Sequence, residues 1–516
     1  AAAGTVSMLD ADGSLLRQVP ARGRFSARLL AAIRAWLDDP GAVDPVVVEL
    51  LQLPPLAYTR TANPEAGQWT ISAVAVWRFV LVREALAVLS LSYRNSSVRS
   101  QLAAAPENRN PLAYEVLRSC AYPWALPLDL PTEEVRAFLA DLGVPRVALM
   151  ALLRPAGRVP AGEVDEWLGL TSADRALIVP PTGAGAPPAA PWALWGLQRS
   201  GNLVADRSAG LTRSGDWPAV LTPVSLLLQQ AGLQHRELLD LLATGFGGAT
   251  PPQIELTDLE DACRTSKMRL QGLGEVQLDW IHRFTRLWRR TGDSMRVLDR
   301  SLQALGGLID AEALRGLALL RRLQGRLAQP PLALLALLGH LETRPWVDHL
   351  LDGTPCLPSL FDTTFQPHAL QRSTSFALFR LAADGRELAC RSAPGAAADP
   401  LPLRPHAPFI AAALGLPVAG IEALVAAGAA AGLADALTLA NLATLHGLAT
   451  LCRSLHLDAS ALLRWQGVLG MAPFTPAPPA ERADRLLAFI ARFDSAAATG
   501  LSLDTWDYLL RHSLQG

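Results

Sequence analysis

Lysine is almost missing from this chain: Lys267 is the one lysine among 516 residues, and the other basic side chains are arginines. Lysine-dependent Schiff-base chemistry, or a phosphate loop built on lysine, therefore has one candidate at most. Cysteine is scarce, odd in number and widely spaced, at Cys120, Cys263, Cys356, Cys390 and Cys452. That argues against a disulfide framework. Long apolar runs are lacking too. The longest without proline, Ala423 to Ala434, covers about 12 residues, against the roughly 18 to 20 that a membrane helix needs. Charge of either sign is not in excess: the net charge is −1, so no global field draws the chain to nucleic acid or an anionic membrane. Gly-x-Ser-x-Gly, His-Glu-x-x-His and Cys-x-x-Cys do not occur. The sequence opens at Ala1 without an initiating Met or a charged-then-apolar signal, which carries little weight for a chain open to being a fragment of a larger protein.

What is abundant is a local pattern: Gly, usually an apolar residue, then Ser, Pro or Asp, with a large apolar residue six positions after the Gly. It reads Gly143-Val144-Pro145 to Leu149, Gly232-Leu233-Gln234 to Leu238, and Gly292-Asp293-Ser294 to Leu298. It returns as Gly415-Leu416-Pro417 to Ile421 and Gly500-Leu501-Ser502 to Trp506. Looser copies are Ala328-Gln329-Pro330 to Leu334 and His456-Leu457-Asp458 to Leu462. Glycine past a helix end takes the left-handed conformation. Ser or Asp then caps the next helix, or Pro presets its first φ. The later apolar residue opens the buried stripe. The unit is helix, tight turn, helix. Several intervals lie near one or two multiples of roughly 44 residues, within the range of helical-pair repeats. The fold class expected is mainly α, with irregular stacked helical pairs and small β-hairpin insertions.

Along the chain, residues 1–80 read as a mixed α/β segment. It has hairpin signals at Asp12-Gly13 and across Asn63 to Gly67, and a helix over Phe25 to Leu37. Helical regions are expected over 81–178, 218–350 and 409–516. Residues 179–217 read as a Pro/Gly/Ala-rich linker and loop, and 351–408 as a β-containing insertion turning at Asp384-Gly385. Strands are expected mainly within 1–75 and 374–392.

Four groups of residues invite a chemical reading. His446, Cys452 and His456 suggest a metal site, but only the last two share a helix face at i,i+4, so a buried Cys with two ordinary His is the better account. His349 and Cys356 have no evident third ligand. Trp280 to Arg290 mixes aromatics with arginines. Trp280, Phe284 and Leu287 form an i, i+4, i+7 core stripe, and Arg283, Arg286 and Arg290 share another, solvated or ion-paired face. Glu255, Asp258, Glu260 and Asp261 are read as acids at a helix start, able to offset that charge. Gly272-Leu273-Gly274 lacks the strand and third glycine of a dinucleotide loop. The expectation is no catalytic, cofactor-binding or metal-binding residue, and no enzyme activity. A glycosidase would need paired carboxylates in a deep pocket.

Three stretches carry a family resemblance. They are Tyr122 to Leu139 with Leu142-Gly143-Val144-Pro145, Leu270 to Leu302, and Pro358-Ser359-Leu360-Phe361-Asp362. In this order and spacing, over residues 110–516, the chain resembles the A subunit of bacterial Tc insecticidal toxin complexes, the virulence plasmid A protein family. The resemblance implies a segment of the α-helical shell of a secreted or cell-surface homopentamer. In that family, other regions bind the host receptor, form the channel and engage the B and C subunits that house a toxic enzyme. Direct membrane insertion by this segment and nucleic-acid binding are not expected. Once isolated it should associate with its own copies only weakly. The alternative reading is a helical-repeat interaction scaffold without a toxin role.

Overall fold

The computed structural model describes residues 116–154, 159–179, 190–258, 264–366, 379–382, 385, 387–389 and 400–512, with the backbone of four strands before residue 73. These residues are mainly helical, with short strands. The chain divides into two compact units. One comprises Ala1–Leu149, Ala184–Leu221 and Ser225–Gly232; the other comprises Met150–Gly183, Thr222–Val224 and Leu233–Gly516.

Near the N-terminus, β1 (Thr5–Leu9) and β2 (Leu15–Pro20) are antiparallel, as the first hairpin signal predicts, while Asp12-Gly13 itself lies outside the described residues. β3 (Thr61–Asn63) and β4 (Gln68–Ser72) form the second expected hairpin. Parallel pairing of β1 with β4 joins them into one sheet, in the order β2-β1-β4-β3. The expected helix over Phe25 to Leu37 lies outside the described residues.

Helices follow in pairs, joined by the repeated turn. α1 (Leu130–Asp141) ends before Gly143, and α2 (Arg146–Leu153) starts after Pro145. α3 (Ala161–Trp167) leads to α4 (Ser172–Ile178) through Gly169 and the cap Thr171. Sequence reading missed this copy because Arg175 stands where the apolar residue is sought. β5 (Asn202–Asp206) and β6 (Leu211–Gly215) precede α5 (Trp217–Val220) and α6 (Val224–Ala231). α7 (His235–Leu242) is followed by β7 (Gln253–Leu256) and β8 (Met268–Gln271). α8 (Glu275–Thr291) and α9 (Met295–Ala304) flank Gly292, and the Ser294 hydroxyl accepts the N–H of Val297. α10 (Ala311–Leu327) turns at Ala328 into α11 (Pro331–Leu335). β9 (Trp346–Val347) pairs with β10 (Cys356–Leu357) ahead of α12 (Leu360–Phe365). α13 (Ala407–Leu414) and α14 (Val418–Ala427) flank Gly415. α15 (Leu439–Leu455) and α16 (Ala459–Leu469) flank His456. α17 (Pro479–Ala497) and α18 (Leu503–Arg511) complete the series.

All seven turns that the sequence marks have a positive φ at their first residue, from 52° at Ala328 to 74° at Gly500. The apolar residue six places on is buried at Leu238, Leu298, Leu334, Ile421 and Leu462. It is not buried at two places: Leu149 is exposed and Trp506 half-buried. α1 and α2 contain no buried residue at all, so their turn obeys the local rule without a core behind it. Elsewhere the pairs stack. α10 lies against α3 and α17, and α15 against the 3-10 turn Ala336–Leu338. At that contact a Cβ on Gly447 would stand 2.8 Å from the carbonyl oxygen of Ala336, so only glycine permits the approach.

Strands are not confined to the two expected spans. β5–β6 occupies part of the expected linker, and β7–β8 interrupts the expected helical run from 218 to 350. In β5–β6 the loop is longer than the two residues of an Asp-Gly turn. Asp206 accepts the N–H groups of Ser208 and Ala209, and Gly210 closes the turn at φ +66°. In β7–β8 the alternation Gln253-Ile254-Glu255-Leu256 pairs with Met268 to Gln271. Glu255 is thus on a strand and not at a helix start. Asp258 pairs with Lys267 at 3.2 Å across the mouth of this hairpin; Glu260 and Asp261 lie outside the described residues. Among the described residues of the third expected hairpin, Leu381 and Leu388 form an antiparallel bridge near Gly385.

Candidate functional site

The polar groups of α8 and α9 are the nearest approach to a site in the second unit. α8 begins at Gly274, whose N–H is accepted by the Gln277 side chain. Its stripe is as the spacing predicts: Trp280, Phe284 and Leu287 are buried. Trp280 stacks on Phe284 with centroids 5.7 Å apart, and Phe246 lies 6.2 Å from Trp280.

The arginines do not make an open basic face. Arg283 pairs with Asp279 at 3.1 Å and donates to the carbonyl oxygens of Ile178 and Ile309. Arg290 pairs with Asp174 at 3.0 Å, and Asp174 also completes the capping box of α4 with Thr171. Among the described residues, the acids of Arg283 and Arg290 thus come from the same helix and from α4. Of the two states expected for that face, solvated or ion-paired, the solvated one does not hold for Arg286, which is 2% exposed. Its Nε donates to His282 Nε2 at 2.6 Å. Burial lowers the Arg286 pKa to about 9, opposed by Asp174 and reinforced by Arg290 and Arg289. Burial, with Arg286 and Arg283, holds the His282 imidazole well below its ordinary range. A neutral His282 is the form that accepts this bond.

One turn further on, Arg296 and Arg300 converge on Glu342, a carboxylate with no solvent exposure of its side chain. Arg296 donates to both carboxylate oxygens at 2.9 and 2.7 Å, and Arg300 to one at 3.2 Å. The N–H of Leu360 adds a fourth bond at 3.2 Å, while Arg296 also reaches the carbonyl of Pro358 at 2.7 Å. Arg300 further pairs with Asp299 at 2.8 Å and lies 5.4 Å over the Trp346 ring. Asp299 accepts from Gln303 and from the N–H of Gly245. Burial raises the Asp299 pKa against these bonds. The network joins the segment around α9 to Pro358-Ser359-Leu360, two of the three stretches that carry the family resemblance. Glu342 gave no sequence signal; the i,i+4 spacing of Arg296 and Arg300 was its only visible trace.

The metal candidates separate. α15 ends at Leu455, so His456 is a left-handed C-cap and does not share a helix face with Cys452. Cys452 and His446 are buried. Burial pushes the Cys452 thiol up to about 11 and the His446 imidazole down to about 4. His349 and Cys356 are also apart in role. The His349 ring Nδ1 and backbone N–H meet Asp240 at 2.7 and 3.1 Å, whereas Cys356 is exposed on β10. Among the described residues no three His, Cys, Asp or Glu side chains are grouped to hold a metal ion. A cavity of about 20 Å³ lies among Leu168, Thr291, Val297, Ser301, Arg321 and Leu334, room for about one water molecule. The carboxylate at its edge, Asp293, is paired with Arg321 at 3.0 Å. No family model matches the chain, and no curated protein matches it.

Proposed function

We propose that this chain is a segment of the α-helical shell of a Tc-type toxin A subunit. In this reading it contributes to a secreted or surface-bound homopentamer that binds host cells and delivers a toxic enzyme. Receptor binding, channel formation and attachment of the B and C subunits belong to regions outside it. One observation carries the reading furthest. Helical pairs joined by the same left-handed turn recur along the chain, and the Glu342 network binds together two of the stretches that resemble the family. Such pairs build a stiff wall with broad faces, and their polar groups are spent on one another. The chain is read as structural and not as an enzyme.

The test is the full natural gene product. Expression of the complete reading frame, followed by electron microscopy and binding to B–C subunits of a Tc toxin, should show five-fold particles that retain those subunits. A reading frame without a channel-forming region, or a product that neither assembles nor binds them, would overturn the proposal. The second reading, a helical interaction scaffold, draws on α1 and its C-cap, where Phe138 and Leu142 are 71% and 72% exposed. It predicts a stable partner protein in the absence of any toxin subunit.

A further inference from the structure

We draw no further inference here: the strongest candidate, the exposed apolar surface patch of Val135 and Phe138 on α1 with Leu142 at its C-cap, is an unpartnered helix face, and nothing in the structure shows what covers it.

Discussion

His456 closes α15 in a left-handed conformation, at φ +55°, which costs a side-chain-bearing residue roughly 1 to 2 kcal/mol relative to a right-handed one. Glycine adopts it without that penalty. His456 is exposed, with no packing to lose. His456→Gly should therefore raise stability by about 0.5 to 1 kcal/mol, read as a higher urea midpoint at unchanged slope. A lower midpoint would show that the imidazole contributes something beyond ending the helix. His446, ten residues earlier, acts through protons. Unfolded, it takes up a proton near its ordinary pKa of about 6.5; folded, it resists until about 4. The stabilisation from keeping it neutral is complete above the unfolded value and is lost as pH falls through that window. The loss should be on the order of 3 kcal/mol by pH 4. Denaturation midpoints at pH 7.5 and 5 should converge in His446→Gln relative to the parent chain. An equal pH slope in both proteins would rule the residue out as a contributor.

At the scale of elements, α8 and the Glu342 network stabilise by different physics. Phe284 is fully buried between the ring of Trp280 and the surrounding core. Phe284→Ala should cost about 3 to 5 kcal/mol, measured by chemical denaturation. Glu342→Gln removes charge but little volume, taking from Arg296 its carboxylate partner and leaving Arg300 with Asp299 alone. Breaking such a pair from one side costs about 3 to 5 kcal/mol. A loss below 1 kcal/mol would mean that water reaches those guanidinium groups. The stripe of α8 was legible because helix periodicity is local: Trp280, Phe284 and Leu287 are separated by one and two turns. The turns were legible for the same reason, down to Ala328 and His456 standing in for glycine. Glu342 was not, because its partners lie 42 and 46 residues away. The burial of Arg286 was not legible because a helical wheel shows which residues share a face but not what that face meets. Glu255 was misread because acidic residues mark helix starts only on average, and here strand alternation with Met268 to Gln271 prevailed.

For the whole molecule, the mainly helical character followed from composition and periodicity, whereas the positions of β5–β6 and β7–β8 did not. Those hairpins are made of short alternating runs whose loops lack a strong two-residue turn signal. Among the described residues no helix is long and apolar enough to cross a membrane. The chain on its own should not release dye from liposomes at acid, neutral or alkaline pH, with an intact toxin A subunit as the positive control. Sustained release would overturn the assignment to a shell. The ion pair between Lys267 and Asp258 has a practical corollary. A protein with a single side-chain amine has one address for amine-directed chemistry in its interior sequence, and the structure puts that address at the mouth of a surface hairpin. A fluorophore attached there would report on the second unit from a known position.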